Sequence, residues 1–352
     1  MTTTRRVRVT AFGAADVLVI ESAGLPAPRH GAVVVRVTHA SVGATDVLAR
    51  RGGYLLQPRA GFTPGYDGVG VLETGSEDAE RLGLRPGMRV AFCLPRMRTH
   101  STRLVVSPSL LVRVPDELTS PIAATAPLDL LTAGLALHLT GAQSGDWLLI
   151  QGVTGAVGSF AAQQATRAGI RIAGTASARS AESARASASV VVDYTDPDWA
   201  RVLRDAVGGR VSAAIDHTGA AAVRDAVDPR GIVVRTAFTG RAGRERADTA
   251  VGGFRSSIRR WGHPRERVCS VPLFIATRRA AYRRMPVSPT SPRARSPLRR
   301  SSCSASTKCA PPTSGPRIRC RGAKPCWRCR PPSRLRPRSC GNGGWPFPHG
   351  IG

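Results

Sequence analysis

Trp147-Leu-Leu-Ile-Gln-Gly-Val-Thr-Gly-Ala-Val-Gly158 is the stretch on which the fold turns. Trp147 to Ile150 is a short apolar run of the length expected for a buried strand. Gly152, Gly155 and Gly158 follow, opening a helix with Val157, Ala161, Ala165 and Ala168 on one face, which Gly169 stops. Ile170 to Gly174 then reads as a second strand, so the unit is strand, glycine-rich turn, helix, strand. Without side chains at Gly152 and Gly155, backbone N–H groups here and at Ala156 and Val157 can approach a pyrophosphate at the positive helix end. Gly158 lets the helix lie close to the sheet. Dinucleotide binding is the reading that this order supports; a plain structural turn is the alternative.

Working outward, the alternation continues through Val190–Val192, a helix begun at Pro197 with Trp199, Leu203 and Val207, then Ala213–Ile215 and Ile232–Arg235. This predicts a doubly wound parallel α/β sheet over residues 126–284. At the end of the second strand, Gly174-Thr-Ala-Ser177-Ala-Arg179 has no carboxylate before Glu182 to hold a ribose 2′-hydroxyl. Arg179 suits a 2′-phosphate and Ser177 a hydrogen bond to it, which favours NADP(H) over NAD. The alternative for Arg179 is a solvated surface charge.

Residues 1–125 read differently. Arg6–Phe12, Val33–Thr38, Gly68–Glu73, Arg89–Phe92, Leu104–Val106 and Leu111–Val114 are short β-rich runs separated by Gly and Pro, and predict a mostly antiparallel barrel. Its loops hold Ser41, Thr45, Asp46, Arg50, Tyr54 and Asp67, the polar groups available for chemistry.

Composition removes several classes. The only lysines are Lys308 and Lys324, so the first 307 residues supply no P-loop, Schiff-base or Tyr-x-x-x-Lys lysine. Cys93 and seven scattered histidines cannot assemble a zinc ligand set, so no metal is expected. No run approaches the eighteen or so apolar residues that cross a bilayer, and the start carries no apolar leader; a cytoplasmic protein with no membrane partner is expected.

The motifs together resemble the medium-chain dehydrogenase/reductase superfamily, in its zinc-independent quinone oxidoreductase (zeta-crystallin-like) branch. They are Ala40-Ser-Val-Gly-Ala-Thr-Asp46 with Arg51-Gly-Gly-Tyr54, Pro64-Gly-Tyr-Asp-Gly-Val-Gly70, Arg85-Pro-Gly-Met-Arg-Val90, Leu131-Thr-Ala133, the 145–158 run, and Asp216-His-Thr-Gly219. The resemblance implies a GroES-like barrel followed by a Rossmann domain. It also implies NADPH-dependent hydride transfer to a small electrophile, a quinone or α,β-unsaturated carbonyl, and a homodimer. Thr132 would lie near the nicotinamide, Arg179 near the 2′-phosphate, Tyr194 beside the adenosine and Tyr54 on the substrate side. Tyr54, Thr45 or a water would stabilise the substrate oxygen. Tyr54 and Tyr194 also fit half-buried structural positions, Asp46 and Asp67 fit loop caps, and His217 fits a strand-end turn. Zinc-dependent relatives place a Cys and a His-Glu pair where this chain has Gly43/Ala44 and Tyr66-Asp67. Quinone reductases often carry Asn at the position of Gly43, so that polar contact is missing here.

The end of the chain has another composition. Of the formal charge of +28, residues 255–352 contribute +22, with Glu266 their single carboxylate. Residues 285–352 hold 13 Pro, 10 Ser, 6 Cys and 14 basic residues with no acid. A basic arm that neutralises phosphates is one reading, and with it the whole chain could be a catalytically silent nucleotide-binding protein that binds nucleic acid. The favoured reading is translation out of frame, in which nucleic acid is not a partner. Joining the third base of each codon to the next two lets Ser306–Trp327 encode Leu-Asp-Glu-Val-Arg-Ala-Ala-His-Glu-Arg-Ala-Pro-Asp-Pro-Val-Pro-Arg-Gly-Glu-Ala-Val-Leu, similar to the closing segment of the same family. Resequencing across the codons for Arg283–Pro286 tests it; an unaltered gene there would exclude a frame error.

Overall fold

The computed structural model describes residues 2–277 except 239 and 242. The tail at 285–352, with its frame reading, lies outside the described residues, as does the end of the 126–284 span.

β1 (Thr3–Val9) and β2 (Leu18–Gly24) form an antiparallel ribbon. β3 (Val33–Ala40), β4 (Asp67–Leu72), β5 (Arg89–Cys93), β6 (Arg103–Val106) and β7 (Leu111–Arg113) form a five-stranded antiparallel sheet in the order β6-β3-β4-β5-β7. β4 lies at its centre and is almost wholly buried. α1 (Ala44–Arg50) crosses between β3 and β4, and α2 (Glu77–Arg81) between β4 and β5. The predicted strands of this part are all present within a few residues. β2 was not predicted, because Leu18, Val19 and Ile20 are all exposed and the segment lacks the alternation that marks a half-buried strand.

α3 (Ser120–Thr125) and α4 (Pro127–Thr140) join the two parts. α4 begins at a proline and ends at Gly141, whose φ of 68° is the left-handed conformation that closes helices. It is apolar on nearly every side and buries Leu131, Ala133, Leu135 and Ala136. One hydrophobic core therefore runs from Val35, Leu72 and Phe92 through α4 to Leu148, Ile150 and Val234.

The second part is a six-stranded parallel sheet: β8 (Trp147–Ile150), β9 (Arg171–Ala176), β10 (Val190–Asp193), β11 (Val211–Asp216), β12 (Val227–Arg235) and β13 (Arg265–Val268), in the order β10-β9-β8-β11-β12-β13. The order in which the chain lays down strands reverses between β8 and β11, so a crevice opens there beyond the strands' carboxyl ends. α5 (Ala156–Arg167), α6 (Ala181–Arg185), α7 (Trp199–Val207) and α8 (Ala221–Ala226) connect the first five strands, and α9 (Glu245–Ile258) and α10 (Val271–Thr277) flank β13. α9 and β13 escaped the sequence reading for a physical reason. The only buried side chain on α9 is Ser256, while Val251, Phe254 and Ile258 face outward, and β13 buries Glu266.

Candidate active site at the crevice between β8 and β11

The glycine turn sits at the crevice. Gly152 has φ 64°, and a side chain on it would meet the His217 ring. Its N–H donates to Thr175 Oγ1 (2.9 Å), and Val153 N–H to the Thr175 carbonyl (3.1 Å), which fastens the turn to β9. Gly155 is the N-cap of α5, and the first intrahelical bond runs from Ser159 N–H to its carbonyl (2.8 Å). The N–H groups of Ala156, Val157 and Gly158 precede that bond and point out of the helix end. Gly158 presses on the turn itself: a Cβ there would stand 2.2 Å from the Gly152 carbonyl oxygen.

Beyond β9 the adenosine-side candidates are neighbours, since Ala176 pairs with Asp193 across β9 and β10. Ser177 Oγ lies 3.0 Å from Ser180 Oγ, Arg179 is exposed, and Tyr194, half-exposed, donates its N–H to the Ala176 carbonyl (3.3 Å). Arg179 forms no ion pair with any described residue. Thr132 lies on α4, half-buried, with Oγ1 donating to the Leu128 carbonyl (2.7 Å).

On the barrel side the polar groups converge. Tyr54 and Tyr66 hydroxyls are 3.1 Å apart with rings edge to face. Burial pushes the Tyr54 phenol above its ordinary range, the Tyr66 hydroxyl partly offsets this, and the Asp46 charge adds to it. Tyr66 is raised further, by burial and then by Tyr54. Both phenols therefore stay protonated at neutral pH, so one hydroxyl donates to the other and the remaining O–H proton is available to a further partner. Thr45 is half-buried in the first turn of α1. Asp46 accepts from Gly43 N–H (2.9 Å) and Gly65 N–H (2.7 Å), and Asp67 accepts from the Ser41 hydroxyl and from Leu128 N–H (3.0 Å). Both carboxylates thus act as loop caps, and Asp67 ties β4 to α4. Arg246 on α9 reaches the Pro58 carbonyl (3.4 Å), so α9 closes over the loop that carries Tyr54. His217 occupies the turn after β11, as its strand-end position suggested.

The sequence assigned no role in the site to Tyr66, Asp129 or the buried charges Asp216, Arg235 and Glu266. Asp129, in the first turn of α4, is pushed up to about 6 by burial and then by the charge of Asp67. Glu266 is held down at about 2: burial would raise it, but hydrogen bonds from Arg235 and Ser256 outweigh that. A carboxyl raised by folding keeps its proton in the native state, so Asp129 favours folding at acid pH, and that contribution is lost as pH climbs from about 4 through 6. Glu266 acts oppositely, losing its contribution as pH falls from its unfolded value toward 2. Thermal stability should rise as pH is lowered from 8 to 5 and fall again below 4. Asp129→Asn should flatten the rise by about 1 kcal/mol, a value discounted for partial solvent access; an unchanged pH profile in this variant would contradict the assignment. Among the described residues, no group of three or more His, Cys, Asp or Glu side chains is placed to hold a metal ion. Nor is any described helix long and apolar enough to cross a membrane.

Comparison with known proteins agrees with this architecture. Residues 29–110 match the alcohol dehydrogenase GroES-like domain. Quinone oxidoreductase of Lama guanicoe is 29% identical over 174 residues, 49% of this chain and 52% of that protein, so the chain spans about half the length of this curated relative. Among solved structures, quinone oxidoreductase of Pseudomonas syringae pv. Tomato superposes with a TM-score of 0.66 at 24% identity, covering 80% of this chain and 86% of that one. A mycobacterial protein complexed with NADPH superposes at 0.64 with 25% identity, covering 80% and 86%. An antiparallel GroES-like sheet followed by a parallel sheet in the Rossmann order defines a two-part α/β class. The chain is thus similar, in its GroES-like region, to alcohol dehydrogenases and, over about half its length, to quinone oxidoreductases of the medium-chain dehydrogenase/reductase superfamily.

Proposed function

We propose that the chain is an NADPH-dependent oxidoreductase that reduces a quinone or α,β-unsaturated carbonyl by hydride transfer without zinc. The observation that carries this is the glycine turn at the β8/β11 crevice, with the exposed, unpaired Arg179 and no carboxylate at the end of β9. The crevice fits a dinucleotide: Gly152 and Gly158 leave space where a Cβ would block the turn, and the first N–H groups of α5 are left to bind phosphate. Ala156, Val157 and Gly158 would hold the pyrophosphate, Ser177 and Arg179 the 2′-phosphate, Tyr194 the adenosine and Thr132 the nicotinamide side. When bound, the cofactor supplies the hydride.

The protein's own groups orient and donate. As the substrate carbon accepts the hydride, negative charge develops on its oxygen. Tyr54, kept neutral by burial and hydrogen-bonded to Tyr66, would donate a hydrogen bond to that oxygen, with the Thr45 hydroxyl as an alternative donor. A phenol so hard to ionise polarises the oxygen and keeps its own proton, so water delivers the final one. On this reading residues 1–125 bind the electrophile and 126–284 the cofactor, in a cytoplasmic homodimer. NADPH and NADH titrations of the full chain, with Arg179→Ala, test the cofactor assignment. Loss of one charge-assisted phosphate contact should cost about 2 kcal/mol, or roughly thirtyfold, for NADPH and leave NADH unchanged. Equal affinities untouched by the substitution would reject it. Quinone-dependent NADPH oxidation should survive dialysis against a chelator.

A further inference from the structure

Arg235, at the carboxyl end of β12, is 1% exposed and contacts two carboxylates as deeply buried as itself, Asp216 of β11 and Glu266 of β13. Its Nη1 donates to Asp216 Oδ2, its Nη2 to Glu266 Oε1 (3.1 Å) and its Nε to Glu266 Oε2 (3.4 Å). Arg224 Nη1 (2.6 Å) and Arg259 Nη1 (3.4 Å) supply positive charge from the rim, and Ser256 of α9 donates to Glu266. Three charged residues taken wholly out of water on three adjacent strands, Asp216 and Arg235 at strand ends and Glu266 early in β13, are costly as a stability device, since apolar packing there would serve as well.

Their contacts lead to the crevice. The other lone pairs of Asp216 accept from Thr218 N–H (3.1 Å), the Thr218 hydroxyl (2.7 Å) and Gly219 N–H (2.8 Å), which winds the 216–219 turn and puts His217 against Gly152. The Asp216 carbonyl accepts from Thr236 N–H (2.7 Å), fixing the exit of β12. The Arg235 carbonyl accepts from Cys269 N–H (2.8 Å), and Cys269 Sγ lies 3.8 Å from the Thr132 carbonyl. Through Ser256 the cluster also fixes α9, which closes on the Tyr54 loop.

We propose that Arg235, clamped between Asp216 and Glu266, is a positioning residue that sets the strand-end turns on the nicotinamide side of the crevice. This rests on the nucleotide reading above. The adenosine side, held by the ends of β9 and β10, is independent of the cluster. The triple variant Asp216→Asn/Arg235→Met/Glu266→Gln removes every buried charge together and so avoids stranding one. It should remain folded, weaken NADPH about tenfold or more, and change 2′,5′-ADP, which lacks the nicotinamide half, less than threefold. Arg235→Lys, which keeps the charge but loses the fork, should fall between the triple variant and the parent. Equal NADPH affinity in parent and triple variant, or an equal loss of NADPH and 2′,5′-ADP in either variant, would make the cluster merely structural and overturn the proposal. Should the triple variant not fold, the same split read on Arg235→Lys decides. Failure of the parent to bind both nucleotides would instead overturn the nucleotide reading, and this proposal with it.

Discussion

Gly158→Ala should abolish measurable NADPH binding while leaving the barrel intact. The added Cβ would stand 2.2 Å from the Gly152 carbonyl oxygen and 3.0 Å from Val153 Cα, both backbone atoms that no rotamer change can move aside. Either α5 retreats from the turn or the turn opens, and in both cases the N–H groups of Ala156 and Val157 lose their aim at a shared phosphate. Overpacking of this kind costs about 1–3 kcal/mol of stability. Loss of the aligned helix-end contacts should weaken NADPH at least about a hundredfold, equivalent to roughly 3 kcal/mol. Fluorescence titration with NADPH beside a denaturation midpoint separates the two effects. Parent-like affinity in Gly158→Ala would mean that this turn is not the phosphate cradle.

Asp46→Ala should be among the most destabilising single changes in the barrel. Asp46 is 7% exposed and receives two backbone N–H groups, one opening α1 and one from Gly65, itself buried. Truncation strands the buried Gly65 donor and gives the exposed Gly43 N–H to water, at about 2–4 kcal/mol for the pair of charge-assisted bonds. The loop from Pro64 to Asp67 would lose its anchor and Tyr66 its fixed place beside Tyr54, so quinone turnover should fall more than NADPH affinity. Asp46→Asn, which keeps one acceptor oxygen, should cost less. A urea midpoint for Asp46→Ala equal to that of the parent would refute the account, as would an Asn variant no better than the Ala variant.

These two sites differ in how far the sequence alone announced them. Gly158 was legible because strand, glycines and helix are contiguous, and each step of the motif is a local constraint on the backbone. Asp46 appeared in the sequence only as a polar loop residue, with capping one option; its partner Gly65 is nineteen residues away, across the α1 crossing. Arg179, Ser177 and Tyr194 fall together because parallel pairing brings the ends of β9 and β10 side by side. The Tyr54–Tyr66 pair joins a residue expected on the substrate side with one noticed only as a departure from the zinc-binding pattern.

The amino-acid sequence by itself determined the two-part architecture, the glycine turn, the missing carboxylate after β9 and the exclusion of lysine chemistry. All of these are carried by composition or by periodicity among near neighbours. Tertiary structure alone decided the exposed strand β2, the outward apolar face of α9, and the burial of Arg235 with Asp216 and Glu266. In these places the usual signal runs backwards, with apolar groups in water and charges inside. The charges can be there only because parallel crossovers bring residues 19 and 31 positions from Arg235, on the neighbouring strands, into one hydrogen-bonded cluster, where each meets its opposite before it leaves water.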